Sequence, residues 1–185
     1  MKLEFQAKFL QHLNKKKQQE EGFTLIELLV VIIIIGILAA IALPSLLAQV
    51  NKGKQAEAKQ NIGSLNRAQQ AYFLEASEFS TDITAVGIGI SSQTVNYYYT
   101  VQGDGTSTPQ AAANIGTRNA GKNTLKSYLG LNFTQIGGDP AANNTEVLAL
   151  AKLCETKNPD DVAVTPIAPG TNICDQSKYK DLGSK

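Results

Sequence analysis

The sequence predicts an α+β fold, a long N-terminal helix packed on a small antiparallel β-sheet head, and three features carry that expectation. Residues Leu28–Leu43 contain no polar or charged side chain, and Gly36 is the only one among them that is not strictly apolar. Beyond Pro44 apolar residues keep recurring at three- and four-residue spacing as far as Tyr72. After Ala76 the composition turns to Gly, Ser, Thr and Asn, and Val95–Val101, with Tyr97-Tyr98-Tyr99 inside it, is the clearest strand signal. One long helix followed by a few strands is an α+β pattern.

The helix is expected from Phe23 to Ala76. Its amphipathic half turns Leu47, Val50, Ala58, Ile62, Leu65, Gln69 and Tyr72 toward a core. Lys52, Glu57, Lys59, Asn66, Arg67 and Gln70 take the other faces. At about 1.5 Å per residue such a helix is roughly 80 Å long. A head of this size cannot cover it, so the first half is expected to stand clear and the second to pack on the sheet. Residues 77–94 form a loop containing Gly87 and Gly89, and Gly103-Asp104-Gly105 is a turn. Ala111–Thr117 is a further strand, Val147–Leu153 fits strand or helix, and Leu125–Phe133 fits strand or a short helix.

Charge and composition exclude several functions. The 185 residues carry a formal net charge of +1. The first 22 hold five Lys against three acids, which leaves the remainder at −1. A near-neutral body is not a natural polyanion binder. The single histidine, His12, lies in that first segment, so the rest has no histidine for a triad or a zinc site. No other cluster supplies catalytic chemistry, and no cofactor, metal or small-molecule substrate is expected. Gly87-Ile88-Gly89 lacks the rest of a phosphate loop. Asp160-Asp161 and Asp175 lack calcium-loop spacing. The Asn132 and Asn143 triplets fit the eukaryotic glycosylation pattern, a weak signal on its own. Lys178, Lys180 and Lys185 make a mildly basic tail.

The apolar run admits several readings. A secretory signal would be cut after it, with Ala39-Ala40-Ile41-Ala42 a weak site. A plain membrane anchor fits its length but leaves Glu27 unexplained. A buried core helix would need more protein than this chain has to cover it. The Lys15-Lys16-Lys17 cluster ahead of the run places the N-terminus on the cytoplasmic side.

The junction decides among these. Gly22-Phe23-Thr24-Leu25-Ile26-Glu27-Leu28-Leu29-Val30-Val31 matches, residue for residue, the signature of type IV prepilins, and the match runs on to Pro44. The chain resembles type IV pilins, its Gly/Thr/Asn-rich body most like cyanobacterial major pilins, and it departs from the usual basic residue before the leader glycine by having Glu20-Glu21 there. The resemblance implies a leader at 1–22, a transmembrane and filament-core helix at 23–50 and a globular head at 51–185. It implies cleavage between Gly22 and Phe23 by a prepilin peptidase, methylation of the Phe23 amine, and roles for Thr24 and Glu27 in subunit assembly. Glu27, expected to be unpaired before assembly, would meet the Phe23 amine of a neighbour; the plainer reading is a carboxylate snorkelling to the interface. The helix between Gly36 and Pro44 would loosen in filaments, the plainer reading being a simple kink. Cys154 and Cys174, an even pair in an exported domain, point to a disulfide, with two free thiols as the alternative; the pair also resembles the family's C-terminal disulfide loop.

The implied partners are other copies of the chain in a helical homopolymer, the peptidase, the pilus assembly machinery and, before assembly, the inner membrane. The assembled protein would be extracellular. The alternative is a pseudopilin or minor pilin of a type II secretion or pilus-priming complex.

Overall fold

A computed structural model describes residues 23–103, 110–139, 144–159, 161 and 174–183. They form one helix, α1 (Leu25–Ala76), and five strands: β1 (Tyr97–Gly103), β2 (Ala111–Arg118), β3 (Tyr128–Asp139), β4 (Asn144–Thr156) and β5 (Tyr179–Asp181). The strands pair in chain order and antiparallel throughout, a simple meander. The fold is α+β, as the sequence pattern predicts. The chain divides into two compact units, one ending at Leu47 and the other beginning at Ala48.

In the first unit α1 is apolar on every face and runs through Pro44 without a break. Every residue from Phe23 to Val50 except Ala39 is exposed. This helix is long and apolar enough to cross a membrane.

In the second unit α1 packs on the sheet through Ala58, Ile62, Leu65, Asn66, Ala68, Gln69 and Phe73. Two expectations are corrected here. Leu47 and Val50 are exposed because the packed stripe begins only at Ala58, and Tyr72 is only half-buried because Phe73 takes the last core position. Asn66, assigned to an outer face, is buried. It lies one turn after Ile62, inside the apolar arc, and the sheet supplies the partners its amide needs. Its Nδ2 donates to the Lys152 carbonyl (3.1 Å), and its Oδ1 accepts from the amides of Asn114 (2.9 Å) and Asn132 (3.2 Å). Buried amides are tolerable only when bonded in this way.

The sheet face beneath α1 carries small residues on the inner strands, so the helix can approach closely. A Cβ at Gly116 would come within 3.3 Å of Ile62 and of Tyr99; one at Gly130 would meet Ile62 Cγ2 and Asn66 Cγ at 2.8 Å. Tyr97, Tyr99 and Tyr128 pack with Ile62 and Leu65 at one end of this core, and Phe73 stacks on Phe79 at the other, ring centroids 4.8 Å apart. The tyrosine run is therefore strand packing: Tyr97 and Tyr99 are buried and Tyr98 points to the opposite side. Burial of Glu155 raises its carboxyl pKa, but hydrogen bonds from Lys126 (2.8 Å) and Lys59 (2.9 Å), with their charges, outweigh it and lower the pKa overall.

Capping and turn chemistry set the boundaries. Ser77, at φ 60°, donates its N–H to the Phe73 carbonyl (2.8 Å) and ends α1 in a left-handed cap. The Gln69 side chain then pins the following loop, donating to the Ser80 carbonyl and accepting the Ser80 N–H, both at 2.9 Å. Within that loop Gly87 and Gly89 adopt φ 70° and 64°, a backbone need that accounts for both glycines. β1 starts two residues later than the pattern suggests, because Thr94 Oγ1 accepts the N–H groups of Asn96 (3.4 Å) and Tyr97 (3.2 Å) and turns the chain there. The two ambiguous segments are strands, β3 from Tyr128 and β4 over a longer range than expected. β5 is not foreshadowed by the sequence pattern, since three residues leave too little periodicity to recognise.

On the sheet's other face Ala111, Ala113, Ile115, Leu129, Leu131 and Phe133 cluster with Cys154, Cys174 and Tyr179. Cys154 and Cys174 are disulfide-bonded, with Cα atoms 6.0 Å apart, immediately beside the pairing of β5 with β4 at Cys154–Thr156. The bond holds the C-terminal strand to the sheet. Cys174→Ser is expected to lower stability by about 3 kcal/mol on the chain-entropy estimate, seen as an earlier thermal unfolding of the mature protein in detergent. An unchanged midpoint would show that β5 stays docked without the bond.

Candidate functional site

The segment that the sequence singles out for assembly is the start of α1. Thr24 is the N-cap and Glu27 the third helical residue, the positions of a reciprocal capping box. The Thr24 N–H and the Thr24 hydroxyl both donate to Glu27 Oε2 (2.9 Å each), and the Glu27 N–H donates to Thr24 Oγ1 (3.3 Å). The first helical bond follows from the Leu28 N–H to the Thr24 carbonyl (3.3 Å).

This corrects the expectation that Glu27 is unpaired in the single subunit. Oε2 is satisfied by its own helix start, while Oε1 accepts no hydrogen bond among the described residues. The spacing Thr-x-x-Glu ahead of an apolar run was visible in the sequence and would have given this bond directly. The arrangement holds one carboxylate oxygen at the helix start and leaves the other without a hydrogen bond among the described residues. Ile26, Val30 and Val31 around it are apolar and exposed.

The other predicted residues are placed as follows. Gly36 stands on exposed helix with nothing near its Cα hydrogens, and Pro44 lies inside α1. Gly22, His12, the lysine cluster, Asp160, Asn143 and Lys185 lie outside the described residues. Asp175 closes a local turn, its Oδ1 accepting from the Ser177 N–H (2.9 Å) and hydroxyl (2.7 Å). These bonds hold its carboxyl below the usual range, the hydroxyl contributing most. No group of three His, Cys, Asp or Glu side chains among the described residues is placed to hold a metal. Asn132 is buried in β3, so its triplet is not available for modification in the folded head.

Two family models match the chain. "Prokaryotic N-terminal methylation motif" matches residues 17–43 and "Type IV pilin-like G and H" matches residues 55–177. Among curated proteins, the type IV major pilin protein PilA of Myxococcus xanthus is 45% identical over 69 residues, 37% of this chain and 31% of that protein. The fimbrial protein EcpC of Eikenella corrodens is 43% identical over 83 residues, 45% of this chain and 52% of that protein. The type II secretion system core protein G of Vibrio cholerae is 40% identical over 67 residues, 36% of this chain and 46% of that protein. The chain thus spans about a third to a half of these relatives' lengths. No solved structure matches it significantly. With the methylation motif on the start of α1 and the pilin-like model covering most of the head, the chain belongs to the type IV pilin-like family.

Proposed function

We propose that this chain is the structural subunit of a type IV pilus, of the kind that forms the bulk of the fibre in cyanobacteria. The observation that carries the reading is the order of the two matches along one chain: a methylation motif at 17–43, then a pilin-like head at 55–177. In this reading residues 1–22 are a cytoplasmic leader. A prepilin peptidase of the inner membrane removes it between Gly22 and Phe23, and the new Phe23 amine is methylated. Residues 23–50 hold the subunit in the membrane, then pack against the same segment of other copies in the filament core. Residues 51–185 form the exposed head. The helix between Gly36 and Pro44 loosens on assembly, as its missing backbone bond and its glycine allow. The protein is a building element and not an enzyme.

A second reading is supported by the relatives named type II secretion core protein G: a pseudopilin or minor pilin sharing the same N-terminal segment. Mass analysis of filaments sheared from cells separates the two. As the main subunit, the chain is the dominant species there, beginning at N-methyl-Phe23 with Cys154 and Cys174 oxidised. A mature protein starting after Ala42 would make the apolar run an ordinary secretory signal and end the pilin reading.

Cleavage is expected to require glycine at position 22, because a close backbone approach to a protease leaves no room for a side chain. Gly22→Trp should leave the uncut precursor in the membrane fraction and no chain in filaments. Immunoblots that resolve precursor from mature protein check this, and full processing of the variant would refute it.

A further inference from the structure

We propose that the end of the head unit nearest Ala48 is a docking face for anionic phospholipid headgroups, an inference that rests on the membrane-anchored subunit reading. The near-neutral total charge of the chain conceals a separation of sign along this unit. Strand register defines the two ends. Arg118 lies opposite Tyr97, Tyr128 opposite Glu155, and Thr156 opposite Tyr179. The 119–127 connection and the residues around Lys157 and Lys178 therefore gather at one end. α1 passes that end with Glu57 and Lys59, since Glu57 Oε2 accepts from Asn96 (3.0 Å) and Lys59 pairs with Glu155 (2.9 Å). At the other end, among the described residues, Glu75, Glu78 and Glu146 outnumber Arg67.

Four lysines at the first end have no partner. Lys52 and Lys54 stand on α1, about 6 and 9 Å of helical rise from Ala48, where the unit begins. Lys122 lies in the turn between β2 and β3, and Lys180 lies on β5 opposite Glu155. Among the described residues none of these four side chains makes a hydrogen bond or ion pair. The acids nearby are all engaged. Lys59 and Lys126 hold Glu155, Asn96 holds Glu57, and Lys152 lies 3.9 Å from Asp181. Asp161 accepts the Asn158 N–H (3.1 Å), and Asp175 is bonded to Ser177.

The place of this end in the chain selects the partner. The apolar run stops at Leu47, immediately before Ala48, so a bilayer holding that run brings its headgroups to Lys52 and Lys54. The headgroup layer is about 5–8 Å deep, and its charge is felt about 8–10 Å further at physiological salt. Lysines from three separate segments, α1, the β2–β3 turn and β5, can all meet one broad anionic surface, whereas a small anion would reach only one of them. Each lysine near such a surface strengthens attachment about fivefold. The acidic opposite end is repelled by the same surface, which settles the end that faces the lipid.

The test places a photoreactive benzoylphenylalanine at Thr124, exposed in the same turn as Lys122, in the full chain reconstituted into lipid nanodiscs. Discs of phosphatidylcholine are compared with discs that also contain phosphatidylglycerol. Irradiation should give a phospholipid adduct at this position in the anionic discs and about tenfold less in the neutral ones. The same probe in place of Glu146, at the other end, should give none. Lys52→Gln, Lys54→Gln, Lys122→Gln and Lys180→Gln together should lower the anionic-disc adduct to the neutral level, with the disulfide and thermal midpoint unchanged. If the chain stays in the discs, the docking is overturned, and the anchored reading left standing, by equal adduct in both lipids, by none at Thr124, by as much from Glu146, by full adduct from the lysine variant or by a link to a second copy instead of lipid. A chain that does not remain with the discs would overturn both.

Discussion

Cells whose only pilin carries Glu27→Gln should insert and cleave it normally yet yield about tenfold fewer filaments or less, the charge on this carboxylate being what assembly uses. The substitution is informative because of the capping box. Glutamine at the third helical position still accepts the Thr24 N–H and hydroxyl, so the helix start survives and only the charge is lost. In the single subunit Oε2 is held by Thr24 and Oε1 is open. In the proposed reading, cleavage after Gly22 creates a cation, the Phe23 amine, at the tip of each helix. When subunits pack, a carboxylate enters an apolar core, which is costly unless a cation comes with it. Pairing the open oxygen with a neighbour's amine relieves both charges and fixes an axial register that an all-aliphatic surface specifies poorly. Glu27→Asp, one methylene shorter, should recover part of the yield. Thr24→Ala, which removes the hydroxyl but leaves the carboxylate, should reduce yield less than Glu27→Gln. Filaments sheared from each strain are quantified against mature protein in the membrane; a normal yield from Glu27→Gln would show that the charge does not direct assembly.

Gly130→Ala should destabilise the head by about 3–5 kcal/mol, combining overpacking with loss of buried hydrogen bonds. The added methyl would sit on Asn66 Oδ1 and 2.8 Å from both Asn66 Cγ and Ile62 Cγ2. Asn66 cannot move aside cheaply, since its amide is bonded to Lys152, Asn114 and Asn132. The acceptor oxygens of Asn114 and Asn132 already lack a partner among the described residues, so losing Asn66 leaves both side chains without a bond to it. The thermal midpoint of the mature protein in detergent should fall by about 10–15 °C. Asn66→Ala alone should also be destabilising, but in the Gly130→Ala background it should cost little, because the space it vacates takes the new methyl. Additive losses in the double variant would place the strain of Gly130→Ala somewhere other than Asn66.

Sequence alone determined the features that are local or periodic. The polar-to-apolar switch at Phe23, the run to Leu43 and the stripe from Ala58 onward repeat one signal over many residues, and the junction matches a motif residue by residue. The Thr24–Glu27 cap was legible too, as a spacing of three. The strand signal at Val95–Val101 located β1, whose true start at Tyr97 depended on the Thr94 hydroxyl three residues upstream. What only the tertiary structure decided were the contacts whose cause lies far along the chain. Asn66 looks like a surface residue until Asn114, Asn132 and Lys152, 48 to 86 residues away, are brought to its amide. Gly130 reads as an interruption in a strand until α1 is laid across it. β5 has too few residues to announce itself and is recognised only from its pairing with β4, beside the disulfide. Periodicity tells which residues share a face; which face each polar group can live on depends on the partners that folding delivers.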